Sequence, residues 1–325
     1  MKKIDISIVL TSFNDTNVKH VLGDIASADF NNLEIEIIII EAGSLNKDFF
    51  KNKLGAVQKK LIYYHKPELN RTSSLNLLFE KASGRFVCRL DSRTHISKNY
   101  FQDLLYLANK KKIENVGGVI EPVGNSAKQK LIANIMKSKF CFGGSKFREP
   151  NFQGFCDSVY LGFFLNSFLK KHRIRFDNNP KISEDSDINY QIKKNGGHVY
   201  CDSSIKVKYF AREKFISFFK MIFNYGYGRG LFIQKNKSFR FKQIAPPIFL
   251  LVFFILLLHS YFFTFSLYIL ISVVFIYSLV NLIFVYKLRL NLWSSTVSFF
   301  CFFCVHFYWS LGFLLSFTNF FYKKK

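Results

Sequence analysis

Apolar side chains occupy every second position from Ile4 through Ile6 and Ile8 to Leu10, and that alternation predicts a first strand. The basic start "MKK" imitates a secretory leader, but Asp5 and Ser7 interrupt an apolar stretch already too short for one. Four more apolar runs of strand length follow at 35–40, 61–64, 86–90 and 116–120, separated by stretches with helical spacing. Strands alternating with helices predict an α/β domain: a mostly parallel sheet with helices on both faces.

The pattern then changes. From Ile244 to Tyr286 no formal charge interrupts 43 residues, about twice the length a membrane helix needs. This predicts two spans joined by a tight turn near 259–266. "KLRLN" (287–291) follows, then a third apolar run, 292–322, too long for one upright helix and too short for two. The expected organisation is a catalytic domain over 1–212, an interfacial connection over 213–243, and a transmembrane region of about three helices over 244–325. With no leader, the first domain belongs in the cytoplasm, and the positive-inside rule puts "KLRLN" on the same side. The chain then reads as a multi-pass protein of the plasma or inner membrane. The terminal "KKK" would lie outside if the third run spans once, which the same rule disfavours.

Charge sharpens the division. The first 243 residues hold all 22 acidic side chains and 41 of the 46 basic ones. The basic excess suits anionic lipid beside membrane spans, whereas no zinc spacing, RNA-binding aromatic motif or helix-turn-helix pattern points to nucleic acid. The six cysteines are scattered; Cys301 and Cys304 form a C-x-x-C without a partner pair, and the set reads as small core residues of a reducing compartment.

Three predicted strands end in polar motifs: "TSFND" after the first, "EAGS" after the second and "DSR" after the fourth. In open α/β sheets ligands collect beyond the carboxyl ends of strands, so the three motifs define one candidate cleft. Phe13 suits contact with a flat base, and equally suits core packing; Glu41 suits accepting from a base N–H, or a solvated strand end. Asn14 and Ser44 are also turn-formers. Arg71 suits a diphosphate, and equally an ordinary surface position. "SEDSD" sets Glu184, Asp185 and Asp187 within four residues. Such crowding raises at least one carboxyl pKa, as a general base near neutrality requires, and the same acids favour a helix amino terminus.

These motifs resemble family-2 glycosyltransferases. "ISIVLTSFND" is similar to their S-V-V-I-P-T-Y-N opening strand, and "IEIIIIEAGSLNKD" to the strand ending V-D-D-G-S-x-D. "SLNLLFEKASGRFVCRLDSR" resembles A-x-N-x-G…A-x-G-x-(4–5)-L-D-x-D, with Asn76, Ala82, Gly84 and Asp91 in register. "ISEDSDINYQIKKNGGHVYCDSSIKV" resembles the E-D-x-D-L…R-L-x-x-x-G segment. Within the family, "VGGVIEP", "VYLGFF" and "YGYGRG" look like the membrane-anchored succinoglycan-type sugar transferases.

The resemblance, covering roughly residues 4–230, implies a GT-A fold and inverting, hexosyltransferase-like transfer of one sugar from a nucleoside diphosphate sugar. The acceptor it implies is a lipid-linked or cell-surface glycan in polysaccharide biosynthesis. By family position Asp185 is the catalytic base, Glu184 contacts the acceptor, and the donor is held by Thr11, Phe13, Asn14, Glu41, Arg71, Asp91 and Arg93. A divalent cation, Mg²⁺ or Mn²⁺, is implied with Asp91 as its ligand, but Arg93 replaces the second acid of D-x-D and puts that dependence in doubt. An arginine fork itself suits phosphate. His95 and His198 are further candidate ligands, and Arg229 of "YGYGRG" a candidate phosphate contact. That segment reads equally as an interfacial loop anchored by Tyr225 and Tyr227, and it lacks the R-W pair of processive synthases. Two other readings remain: a polyisoprenyl-phosphate glycosyl donor synthase, and a non-catalytic membrane scaffold of the same fold.

Overall fold

The computed structural model describes residues 3–322 apart from 144, 180 and 240, with the backbone alone for 319–322. The chain forms two compact units: residues 1–121, 145–180 and 184–210, and residues 122–144, 181–183 and 211–325.

The first unit is built on a nine-stranded sheet. β1 (Ile6–Ser12), β2 (Ile35–Glu41), β3 (Leu61–His65) and β4 (Phe86–Leu90) run parallel in the order β3-β2-β1-β4. The alternating run at the amino terminus thus becomes a strand with every residue buried, as a central parallel strand requires. Beyond β4 the sheet is mixed. β8 (Phe163–Leu165) pairs with both β4 and β6 (Asn115–Val123), and β9 (Val199–Phe210) carries β5 (Thr94–His95) and β7 (Gln153–Phe155). The parallel expectation therefore describes the half of the sheet that bears the three polar motifs. In the other half β6 contains the run expected at 116–120, whereas β5, β7 and β8 are two or three residues long, too short for a period to register, and β9 was not among the expected strands despite its 12 residues.

Helices connect these strands: α1 (Val18–Ser27), α2 (Lys47–Leu54), α3 (Arg71–Lys81), α4 (Tyr100–Lys111), α7 (Asn166–Lys171) and α8 (Glu184–Lys194). Asn70 starts α3, its side-chain oxygen accepting from the Ser73 N–H at 3.0 Å. Leu75 and Leu78 of α3, and Ile188 and Ile192 of α8, enter one core cluster with Val9, Ile38 and Phe164 of the sheet. Burying each such side chain stabilises the unit by about 1.5–3 kcal/mol. Because both helices bury their middles against the same core, their charged first turns come to the carboxyl end of β4.

Part of the family motif is structural. Asn76 bonds the backbone of Phe176 in both directions, at 2.9 Å each way. Gly84 donates its N–H to Ser7 Oγ at 2.8 Å, and a Cβ there would stand 2.5 Å from the Ser7 nitrogen.

The second unit contains α5 (Ala127–Lys137), α6 (Lys139–Phe142), α9 (Phe215–Asn236), α10 (Phe241–His259), α11 (Thr264–Tyr286) and α12 (Leu292–Tyr322). Three helices are long and apolar enough to cross a membrane: Phe241–His259, Thr264–Tyr286 and Leu292–Thr318. The turn falls at 260–263, bridged by His259 Nδ1 and Ser266 Oγ 2.6 Å apart. The open question about 292–322 is answered by one continuous helix of 31 residues, about 46 Å long against a hydrocarbon core of about 30 Å. Its second half is a packing surface. Gly226 and Gly230 of α9 lie against the Trp309 carbonyl and Ser316, and Gly312 against the Phe223 carbonyl. "YGYGRG" is thus helical rather than an interfacial loop. Within the bundle His306 Nε2 lies 2.8 Å from the Phe140 carbonyl and Nδ1 2.9 Å from the Tyr277 hydroxyl, so both ring nitrogens are paired. None of the six cysteines lies in a disulfide. The terminal lysines 323–325 lie outside the described residues.

Two glycine substitutions should separate packing from helix propensity. Gly23→Ala, on the exposed face of α1 with nothing within 4 Å of the new methyl, should stabilise by about 0.5–1 kcal/mol. Gly84→Ala should cost about 1–3 kcal/mol through overpacking on β1. Thermal unfolding of the purified protein measures both, and the two midpoints should move in opposite directions.

Candidate active site

The carboxyl ends of β1, β2 and β4 lie side by side, with Ser12 paired to Glu41 and Leu10 to Leu90. Thr11 is buried within β1, and Phe13 stands at the tip of the following loop, 42% exposed. Asn14 adopts a left-handed conformation (φ 53°), which asparagine tolerates better than most residues. That twist aims its side-chain oxygen at the β2 loop, where it accepts from the Ser44 N–H and hydroxyl.

Glu41 is fully buried rather than solvated. Its Oε1 accepts from the N–H groups of Asn14 (3.1 Å) and Gly43 (2.7 Å), fastening the two loops together. Its Oε2 is buried without a partner among the described residues. On the other flank Asp15 accepts from the Ser92 hydroxyl at 2.7 Å and lies 3.6 Å from Arg93 Nε. Arg93 is thus held by Asp15 of the first loop.

The centre of the site is an ionic cluster. Asp91, one residue past β4, accepts through Oδ1 from Arg71 Nη2 (3.0 Å) and Arg89 Nη2 (3.3 Å). Glu184 Oε1 accepts from Arg89 Nη2 (2.6 Å) and Arg71 Nε (2.9 Å), and Asp185 Oδ1 from Arg89 Nη1 (2.5 Å). Three carboxylates thus share two guanidiniums, and the consequence of that imbalance falls on Asp185. Burial alone would raise all three pKa values. At Asp91 and Glu184 the arginines, Arg71 foremost, overcome it and hold the carboxyls below their ordinary range. Asp185 has only Arg89 in direct contact; burial, aided by the charges of Glu184 and Asp91, pushes it up to about 6. It is also the most exposed acid of the three, at 35%.

Arg89 was not singled out from the sequence. A signal was present: one charge inside the apolar strand run "FVCRL" must bring counter-charges with it. His95 and His198 each face an acid of their own, Asp24 at 2.7 Å and Glu114 at 3.5 Å. Arg229 lies on α9 in the second unit, over the Phe232 ring. Among the described residues no three His, Cys, Asp or Glu side chains gather as a metal cage. The cluster therefore fits a divalent cation only as Mg²⁺ is commonly held beside nucleotides, with one carboxylate, Asp91, and phosphate oxygens and water for the rest.

The sequence profile of glycosyl transferase family 2 matches residues 7–173, more than half of the chain. The chain belongs to that family. It is 24% identical over 242 residues to a dolichyl N-acetyl-alpha-D-glucosaminyl phosphate 3-beta-D-2,3-diacetamido-2,3-dideoxy-beta-D-glucuronosyltransferase of Methanococcus voltae, covering 71% of this chain and 74% of the relative. It is 21% identical to the succinoglycan biosynthesis protein ExoA of Rhizobium meliloti (strain 1021), covering 74% and 73%. Among solved structures it is similar in fold to the mannosyltransferase PcManGT from Pyrobaculum calidifontis, in complex with GDP-Man and Mn²⁺. The TM-score is 0.53 at 11% identity, over 75% of this chain and 68% of that one. The chain spans 38% of the length of S. aureus TarS, and with a TM-score of 0.47 at 17% identity that likeness is too low to argue from. The protein is a glycosyltransferase of family 2 with a GT-A-like α/β domain and three helices able to span a membrane.

The raised pKa of Asp185 has a consequence that needs no substrate. Between the ordinary carboxyl value of 3.8 and about 6, the folded chain holds this proton more tightly than the unfolded chain. Stability therefore falls as pH rises through that window. Asp91 and Glu184, with lowered values, act in the opposite sense but below the window's upper part. Compared with Asp185→Asn, the wild-type melting temperature should drop between about pH 4.5 and 6.5; parallel curves would refute the shift.

Proposed function

We propose that the chain is an inverting glycosyltransferase that moves one sugar from a nucleoside diphosphate sugar to a lipid-linked or cell-surface glycan. The observation that carries this reading is Asp185: part-exposed at the strand ends, raised to about 6, and bonded through one oxygen only. At neutral pH it is ionised yet basic enough to take a proton, the compromise general-base catalysis favours. The acceptor hydroxyl attacks the sugar's anomeric carbon as its proton passes to Asp185. The bond to the diphosphate breaks with its electron pair leaving on the phosphate oxygen, so the configuration inverts.

Donor contacts follow from the loops. Phe13 offers its exposed ring to the base, the free Oε2 of Glu41 a buried acceptor, and Asn14 and Thr11 shape the wall. Arg71 and Arg93 meet the diphosphate, each exchanging a carboxylate partner for phosphate. A divalent cation at Asp91 would supply further positive charge to the leaving group; the Mn²⁺ that accompanies GDP-Man in the Pyrobaculum mannosyltransferase complex supports its use. Glu184 lies beside the base for the acceptor. The name of the Methanococcus relative, which acts on a dolichyl-linked phosphate sugar, supports a lipid-linked acceptor. Apolar helices in the same chain suit that substrate, with the catalytic domain on the cytoplasmic side of a multi-pass membrane protein.

The decisive assay is nucleoside diphosphate release from a panel of UDP- and GDP-sugars by purified membranes. Asp185→Asn should lower transfer by on the order of 10²–10⁴ while nucleotide binding survives. The wild-type kcat/KM should fall tenfold per pH unit below about 6, where the base is protonated. Full activity in the variant would remove Asp185 as the base. Run with and without chelator, the same assay should show Arg93→Ala slower and more metal-dependent than wild type, because the phosphate has lost its arginine. Orientation has its own test: a cysteine at Leu290 should resist an impermeant thiol reagent added to intact cells, and labelling would reverse the topology.

A further inference from the structure

Asp185 is held from inside the sheet. Arg89 is 1% exposed and lies one residue before the end of β4, which is hydrogen-bonded to β1 on one side and β8 on the other. Its own N–H donates to the Gly162 carbonyl at 3.2 Å, and Val9 stands opposite it in β1. The guanidinium divides its work: Nη1 takes Asp185, and Nη2 takes Glu184 and Asp91. Its Nε is buried with no partner among the described residues. A stability-driven choice would not leave a polar N–H unmet inside a core.

We propose that Arg89 is a positioning residue for sugar transfer: anchored in the sheet, it grips Oδ1 of Asp185 and the carboxylates of Glu184 and Asp91, and so fixes the catalytic oxygen Oδ2 relative to the donor. The proposal rests on the reading of Asp185 as the base. It assigns the two arginines of the cluster different duties. Arg71 starts a helix, is 41% exposed, and bonds the same oxygens of Asp91 and Glu184, so it can exchange them for a donor phosphate. Arg89 is sealed behind those carboxylates in a strand paired on both edges, so it stays. The fork is necessary because one ammonium cannot meet the two α8 acids and Asp91 with separate donors in one plane.

The test is a double-mutant cycle in the full-length protein, read as nucleoside diphosphate release from the UDP- and GDP-sugar panel. Arg89→Lys shortens the reach to Asp185, and Asp185→Glu lengthens the carboxylate. Each alone should lower kcat by about 10–100-fold, with donor KM within about twofold of wild type, because misplacing a reacting group by about 1 Å costs on that order. Arg71→Lys should instead raise donor KM. The pair Arg89→Lys with Asp185→Glu should recover at least about tenfold over Arg89→Lys, since residues acting as a unit are not additive. Wild-type kcat in Arg89→Lys, or losses that simply multiply in the pair, would overturn the proposal. Should Arg89→Lys melt too low to assay, the pair compared with Asp185→Glu decides: equal or better activity supports the grip, and a further loss rejects it. An active Asp185→Asn would show that the base reading has failed. An inactive Asp185→Asn beside a fully active Arg89→Lys would show that only the role of Arg89 has failed.

Discussion

A guanidinium cannot enter a sheet's interior alone, and much of the site's arrangement follows from that constraint. Removing a buried charge from water costs several kcal/mol unless counter-charges and hydrogen bonds accompany it. In β4 those counter-charges are Asp91, just beyond the strand's end, and Glu184 and Asp185, nearly a hundred residues later. The ionic requirement and the apolar requirement point the same way: Ile188 and Ile192 seat α8 on the core while its first turn meets Arg89. Neither alone fixes both the depth and the rotation of the helix.

The imbalance within the cluster sets its acids apart. With two guanidiniums and three carboxylates, one acid must hold its proton more tightly than the rest, and geometry selects Asp185 because Arg71 does not touch it. A further positive group in contact with Asp185 would lower its pKa again. Arg93 stands close in sequence but is engaged by Asp15, so it does not play that part.

Hydrophobic period revealed the parallel strands and the long apolar helices. The run at 86–90 is a strand residue for residue, and the turn between the first two apolar helices falls inside the expected window. The short strands β5, β7 and β8 carry no period, and β9 was missed although Ile205, Val207 and Tyr209 alternate with the exposed Lys206 and Lys208 in its second half. Among polar residues, Asp91, Glu184 and Asp185 were legible as acids beside a strand end and a helix start, with the family resemblance pointing to the same three, and the structure brings them into one cluster. Spacing missed the partnership of Arg93 with Asp15 and the inward turn of Glu41, which depend on how two loops meet. Arg89 lay between these cases: its charge was conspicuous in an apolar run, while its partners on α8 were remote in sequence.

The loop after β1 is tied on both flanks, by Asn14 and Glu41 to the loop after β2 and by Asp15 to the loop after β4. The three loops are one mechanical part. Replacing a single loop would sever bonds on at least one flank and leave a buried carboxylate or an unmatched asparagine behind. A change at any one of the three strand ends is therefore felt at the other two, because the groups it leaves behind belong to them.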